Sequence, residues 1–145
     1  MTPTLFIPGP TEVYPDLLKA SAKPMIGHRF PEFADLYNRI NKNLHTIMET
    51  NNQGYVFLST SSGSGIWEAG IRNLVNKKVL CIANGDFAIR WYDTSVANGK
   101  AAELLEFPWN TGVDVKAIEQ KLATGEFDAL TVIHNETSSG VENPI

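Results

Sequence analysis

The sequence predicts an α/β fold, three layers deep, with helices on both faces of a mainly parallel sheet. Two observations carry that expectation. From residue 55 onward, apolar runs of strand length alternate with stretches of helical periodicity, and the runs are apolar throughout, as strands buried on both faces are. Glycines and capping residues then punctuate the junctions between them. Composition agrees, since 145 residues that are 43% hydrophobic and 19% charged describe an ordinary globular chain able to bury a core.

The elements follow in order. Prolines crowd the first 31 residues, so "LFIPGPTEVYP" and "KPMIGHRFP" read as extended, turn-rich arms around one short helix at about residues 16–21. Pro31 then suits the first turn of a long helix in which Phe33, Leu36, Tyr37, Ile40, Leu44, Ile47 and Met48 recur at three- and four-residue steps. That helix should stop near Thr50, where "NNQG" breaks the period. "YVFLST" (55–60) reads as a buried strand, and "SGIWEAGIRNLV" as a helix with Ile66, Ala69, Ile71 and Leu74 inward. "KVLCIAN" (78–84) is a second strand, "FAIRWYDTSVANG" a helix closed by Gly99, and "AAELLEF" (101–107) a third strand. "DVKAIEQKLATG" is a helix capped by Asp114 and stopped at Gly125, and "DALTVIHN" (128–135) is the fourth strand. The domain reading is an arm over 1–30 and a single α/β domain over 31–145, with no internal repeat or linker.

Composition narrows the function. A net charge of −4 without a basic cluster argues against a nucleic-acid partner. No window approaches the ~18 apolar residues of a membrane span, and "MTPTLFIPGPTEVYP" lacks the marks of a leader, which points to a cytoplasmic protein. The single cysteine, Cys81, sits in an apolar strand and reads as a buried, reduced thiol, so neither a disulfide framework nor a cysteine metal cluster is expected.

Ligands of open α/β sheets bind beyond the carboxyl ends of the strands. Three loops fall there: "SSGSG", "NGDF" and "NETSSG". The first gathers backbone amides and hydroxyls at a helix start, which suits a phosphate equally as well as it suits a tight strand-to-helix turn. It is not a Walker loop, because Gly-Lys-Ser/Thr is absent, and it fails the dinucleotide fingerprint at Glu68, where a glycine belongs. Asp86 stands where a ribose-binding acid would, which keeps an NAD-dependent oxidoreductase as a minor alternative. Phe87 is read either as a platform for a flat ring or as the first packing residue of its helix, and His134 with Glu136 either as catalytic groups or as a hydrogen-bonded pair that fixes the loop. No G-x-S-x-G elbow supports a serine hydrolase.

With those residues in view, the chain resembles the N-terminal part of the class V aminotransferases of the pyridoxal-phosphate fold-type I group, and among them the alanine–glyoxylate, serine–pyruvate and serine–glyoxylate enzymes. The likeness runs the length of the chain through "IPGPTEVYP", "GHRFPEF", "SSGSGIWEAG", "ANGDFAIRW" and "HNETSSGVENP". It implies part of the large domain of a pyridoxal 5'-phosphate-dependent transferase, with 31–145 as the beginning of that domain. Ser64, Gly65 and Ile66 match positions that cradle the cofactor phosphate, Phe87 the aromatic that stacks on its ring, and Thr137 the hydroxyl residue that bonds the ring oxygen. His28 and Arg29 are similar to a segment that approaches the substrate carboxylate in some relatives, and Pro8 and Gly9 lie in an arm bordering the active site. An arginine fork suits a carboxylate, and a structural ion pair is the competing role for Arg29.

The resemblance further implies amino transfer from a small L-amino acid, alanine or serine, to a 2-oxo acid, glyoxylate or pyruvate, in a homodimer. The lysine that forms the Schiff base and the aspartate that keeps the pyridinium charged are expected beyond Ile145, so no catalytic residue is assigned within the chain. The expectation is a portion of a longer enzyme that is inactive and aggregation-prone by itself. Within the same fold the alternatives are a cysteine desulfurase or a phosphoserine aminotransferase, and outside it a non-catalytic scaffold.

Overall fold

A computed structural model describes residues 4–7 and 9–145, and these divide into two compact units, one ending at Leu58 and the other running Ser59–Ile145. The first unit holds two helices. α1 (Pro15–Ser21) starts on a proline and is exposed along its whole length. α2 (Pro31–Ile47) also starts on a proline, whose fixed φ and missing N–H suit a first turn. Its inward stripe is Phe33, Leu36, Leu44 and the buried His45, whose Nδ1 lies 2.5 Å from the Thr50 hydroxyl.

Residues 55–60 are irregular, which corrects the expectation of a strand there. A strand exists only through the ladder it makes with a neighbour, and this run pairs with no strand among the described residues. Its rings lie in the open instead, Tyr55 at 89% and Phe57 at 85% exposure.

The second unit begins with α3 (Gly63–Leu74) and then alternates: β1 (Lys78–Ala83), α4 (Asp86–Ala97), β2 (Ala101–Glu106), α5 (Val115–Leu122) and β3 (Ala129–Thr131). It closes on a small antiparallel hairpin of β4 (Asn135–Glu136) and β5 (Val141–Glu142). The sheet order is β2-β1-β3, all parallel, with Cys81 opposite Leu104 on one side and Thr131 on the other. The fourth expected strand is therefore shorter than 128–135: its ladder stops at Thr131, and Asn135 turns into the hairpin.

Alternation along β1 divides the core into two layers. Val79 and Cys81 pack with Ile71 and Val75 of the α3 segment and with Trp91 and Tyr92 of α4. Leu80 and Ile82 point the other way, onto Val113 and Ile118. Helices on both faces follow from the connections: from β1 the chain steps outward to β2, then back past β1 to β3, and two right-handed crossovers in opposite directions must lie on opposite faces.

The inward face of α3 differs from the sequence reading. Ile71 is buried as expected, but Ile66 and Leu74 are 52% and 70% exposed, Ala69 is exposed as well, and the packed stripe is Trp67, Ile71 and Val75. The reason is a neighbour. Trp67 stacks on Trp91 with ring centroids 4.9 Å apart, which rotates α3 toward α4.

α4 and α5 end as expected, at Gly99 and Gly125, whose φ values of +70° and +72° belong to the left-handed region. Asp114 caps α5 by accepting from the Lys116 amide at 2.9 Å and the Ala117 amide at 3.4 Å. No helix of the described residues is long and apolar enough to cross a membrane.

Candidate functional site

Three helices of the second unit begin at the carboxyl edge of the sheet. α4 and α5 do so because they follow β1 and β2. α3 does so because it runs parallel to α4: Trp67 lies against Trp91 near one end, and Arg72 Nε donates to Asn98 Oδ1 at 2.6 Å near the other. That register sets Gly63 level with Phe87.

The start of a helix presents unpaired amides that seek a negative partner. In α5 the partner is Asp114. In α4 it is Glu136, which comes from β4: its Oε2 accepts from the Ala88 amide at 3.0 Å, and its Oε1 accepts from the Ser138 amide at 3.1 Å and the Ser138 hydroxyl at 2.5 Å. Ser138 Oγ accepts in turn from the Asp86 amide at 2.8 Å. Glu136 is fully buried. The pairing of Glu136 with His134 considered from sequence is thus replaced; His134 Nε2 lies 3.6 Å from Glu142 Oε1, across the hairpin.

α3 is different. Its N-cap Ser62 makes no side-chain capping bond, and the amides of Gly63 and Ser64 have no partner among the described residues. The Gly65 amide is used locally, donating to Ser62 O at 3.0 Å. Around these free amides stand the Ser59 and Ser61 hydroxyls, joined at 2.9 Å, and the exposed Ser64. A side chain at residue 65 would be crowded out, because its Cβ would come within 2.8 Å of Ser61 Cβ and Oγ. The cluster offers neutral hydrogen-bond donors of the kind that take an anion.

The other candidates of the second unit occupy the same edge. Phe87 is the second residue of α4, half-buried, with the Arg90 guanidinium 5.3 Å from its ring centroid. Thr137 is exposed at the turn of the hairpin and lines a cavity of about 250 Å³ together with Asn135, Glu136, Gly140, Val141 and Glu142. Asp86 is bound to Arg90 at 2.8 Å, and Glu68 to Arg72 at 2.6 Å, so the acid expected of a ribose site is already engaged. In the first unit, His28 and Arg29 are exposed in the turn that the Phe30 amide closes onto Gly27 O at 3.0 Å, and Gly9 is exposed with φ +130°. Pro8 lies outside the described residues.

Two residues that build this edge escaped sequence reasoning. Asn84, at the end of β1, and Asn143, just after β5, are buried and exchange their amides: each Nδ2 donates to the other's Oδ1, at 2.8 and 3.0 Å. Their remaining hydrogens go to Thr111 O at 2.9 Å and Ile133 O at 2.7 Å, while Val113 N donates to Asn143 Oδ1 at 3.2 Å. This pair ties the loops after β1, β2 and β3 together. The available signal was Asn84 itself, a polar residue ending an otherwise apolar strand.

Cys81 is a buried free thiol, and desolvation pushes its pKa up, which makes it inert rather than nucleophilic. Three lysines of the second unit are engaged elsewhere: Lys78 and Lys121 hold Glu103 at 2.6 and 2.5 Å, and Lys100 donates to Val75 O at 2.7 Å, beyond the end of α3. Among the described residues no group of three or more His, Cys, Asp or Glu is placed to bind a metal ion.

Comparison with known proteins places this edge in context. No family model matches the chain. It is 35% identical over 146 residues to an L-aspartate–glyoxylate aminotransferase of Paracoccus denitrificans, a match covering 97% of this chain and 37% of that protein. It is 35% identical over 151 residues to a serine–glyoxylate aminotransferase of Hyphomicrobium methylovorum, covering all of this chain and 37% of the relative. The crystal structure of an alanine–glyoxylate aminotransferase from Nostoc sp. superimposes with a TM-score of 0.83 at 27% identity, over 99% of this chain and 40% of that one. The chain thus shares the α/β fold of these aminotransferases and spans about 37% of the length of the curated relatives.

Proposed function

We propose that this chain is the cofactor-holding portion of a pyridoxal 5'-phosphate-dependent class V aminotransferase, which moves an amino group from a small L-amino acid, alanine or serine, to glyoxylate or pyruvate. One observation carries the reading: of the three helix starts at the sheet's carboxyl edge, two are filled by the protein's own carboxylates, and the third, at Gly63 and Ser64, is open and lined with hydroxyls. Glyoxylate recurs in the names of the three relatives above while the donor differs among aspartate, serine and alanine, which supports the acceptor more closely than the donor.

The residues fit the group. Gly63 and Ser64 offer free amides, and Ser64 a hydroxyl, to a phosphate; Phe87 offers an aromatic face to a flat ring; and Thr137 offers a hydroxyl to a ring oxygen. Bound there, pyridoxal 5'-phosphate supplies the electron sink that lets an amino acid surrender its α-proton. Arg29 supplies a two-pronged donor for a substrate carboxylate, and His28 and Gly9 are proposed to border the same substrate from the arm of residues 1–30. In this reading the lysine that moves protons belongs to a part of the whole protein outside these residues, and residues 31–145 belong to its large domain. The sequence resemblance supports a homodimer as its assembly, and the cytoplasm as its location is a reading of the sequence alone.

Titration of the full-length protein with pyridoxal 5'-phosphate tests the proposal. It should develop an absorbance band near ~420 nm that borohydride removes. Ser64→Ala deletes one charge-assisted donor and should raise the cofactor dissociation constant about tenfold, with a smaller effect on the chemical step. A protein without the band, or a variant with unchanged affinity, overturns the reading.

A further inference from the structure

Glu136 joins the two ring contacts of the candidate site through a single buried carboxylate. Thr137 follows it directly in the hairpin, and Phe87 directly precedes Ala88, whose amide the carboxylate holds. The second oxygen is occupied by the Ser138 amide and hydroxyl, and Ser138 passes the connection on to the Asp86 amide. Both ends of the linkage are therefore tied: the hairpin turn on one side and the first turn of α4 on the other.

The chain also makes room for it. A Cβ at Gly85 would come within 2.5 Å of Glu136 Cδ and 2.6 Å of Ser138 Oγ. Gly85 has extended backbone with φ 176°, so its φ demands no glycine; the approach of the carboxylate does. A carboxylate accepts at both oxygens, whereas an amide accepts at one and donates at the other. Glutamine at 136 must therefore forfeit either the Ala88 or the Ser138 amide.

We propose that Glu136 is a positioning residue for the cofactor ring, holding Thr137 and Phe87 in fixed relation by clamping the hairpin onto the start of α4. The inference rests on the pyridoxal-phosphate reading above and goes beyond it by assigning the ring's orientation to a residue whose own carboxylate is fully buried and spent on the protein's amides and hydroxyl.

The test uses the full-length protein loaded with pyridoxal 5'-phosphate. It compares wild type with Glu136→Gln, Gly85→Ala and Asp114→Ala, the last a helix cap removed from α5, away from the ring contacts. The readouts are the cofactor dissociation constant, the induced circular dichroism of the bound chromophore, and hydrogen exchange at the Ala88 and Ser138 amides. Glu136→Gln should raise the dissociation constant about tenfold, diminish the induced dichroism and speed exchange at one or both amides. Gly85→Ala should act in the same direction with the carboxylate retained, and Asp114→Ala should lower thermal stability while leaving dichroism and affinity as in wild type. If Glu136→Gln and Gly85→Ala lose stability but keep the wild-type dichroism and affinity, the clamp is structural only and the proposal is overturned. Should one of the two fail to fold, the other decides. If wild type binds no cofactor, the underlying reading falls first, and that result is visible before any variant is measured.

Discussion

At the scale of single residues, the carboxyl edge is governed by the rule that a buried polar group must find its partner. Asn84 and Asn143 meet it reciprocally, and between them they also satisfy Thr111 O, Ile133 O and Val113 N. Asn143→Ala strands the Asn84 amide and the Val113 N–H in a site closed to water, and should cost about 2–4 kcal/mol of stability in denaturant titration. Asn143→Asp keeps the acceptor for Asn84 Nδ2 and Val113 N but sets a buried carboxylate oxygen against Ile133 O and Asn84 Oδ1, and should not recover that loss. Equal stability of Asn143→Ala and wild type would show that the loops hold together without the pair.

At the scale of elements, helix ends obeyed local chemistry and helix faces did not. Asp114 is recognisable from sequence as the cap of α5 and acts as one, so Asp114→Ala should cost about 1 kcal/mol, read as a lower melting temperature. α3 shows the contrary case. Its apolar residues allow two adjacent stripes, and the stacking of Trp67 on Trp91 selects the one that exposes Ile66 and Leu74. The run 55–60 has a strand's composition and no strand's partner, so propensity alone left it irregular.

At the scale of the whole sheet, the amino edge is held by charge. Asp128, just before β3, accepts from the Asn76 and Lys77 amides at 2.8 Å and from the Lys78 amide at 3.0 Å, joining the entry to β1 with that to β3. Loss of hydration favours its neutral form, but the backbone hydrogen bonds together prevail and hold its pKa below the ordinary carboxylate value. A carboxyl more acidic in the folded than in the unfolded state contributes stability that is present above its unfolded pKa and lost as pH falls through the folded one. Asp128→Ala should therefore lower the melting temperature at neutral pH, and its difference from wild type should shrink as the solution is acidified below about pH 4. A difference that stays constant with pH would mean the carboxylate contributes only through shape. Glu103, held by Lys121 and Lys78, is likewise shifted down and adds to the same acid limb.

The amino-acid sequence by itself determined the alternation of strands and helices from Lys78 onward, the helix boundaries at Pro31, Gly99, Asp114 and Gly125, and the loops that follow β1 and β3 at the carboxyl edge, because periodicity, capping and turn chemistry act over a few neighbouring residues. Tertiary structure alone decided which helix start stays open and which are filled, which stripe of α3 turns inward, and that Glu136 answers to Ala88 and Asn84 to Asn143. Those choices join residues 24 to 59 positions apart, and no local pattern encodes a partner that only folding brings within reach.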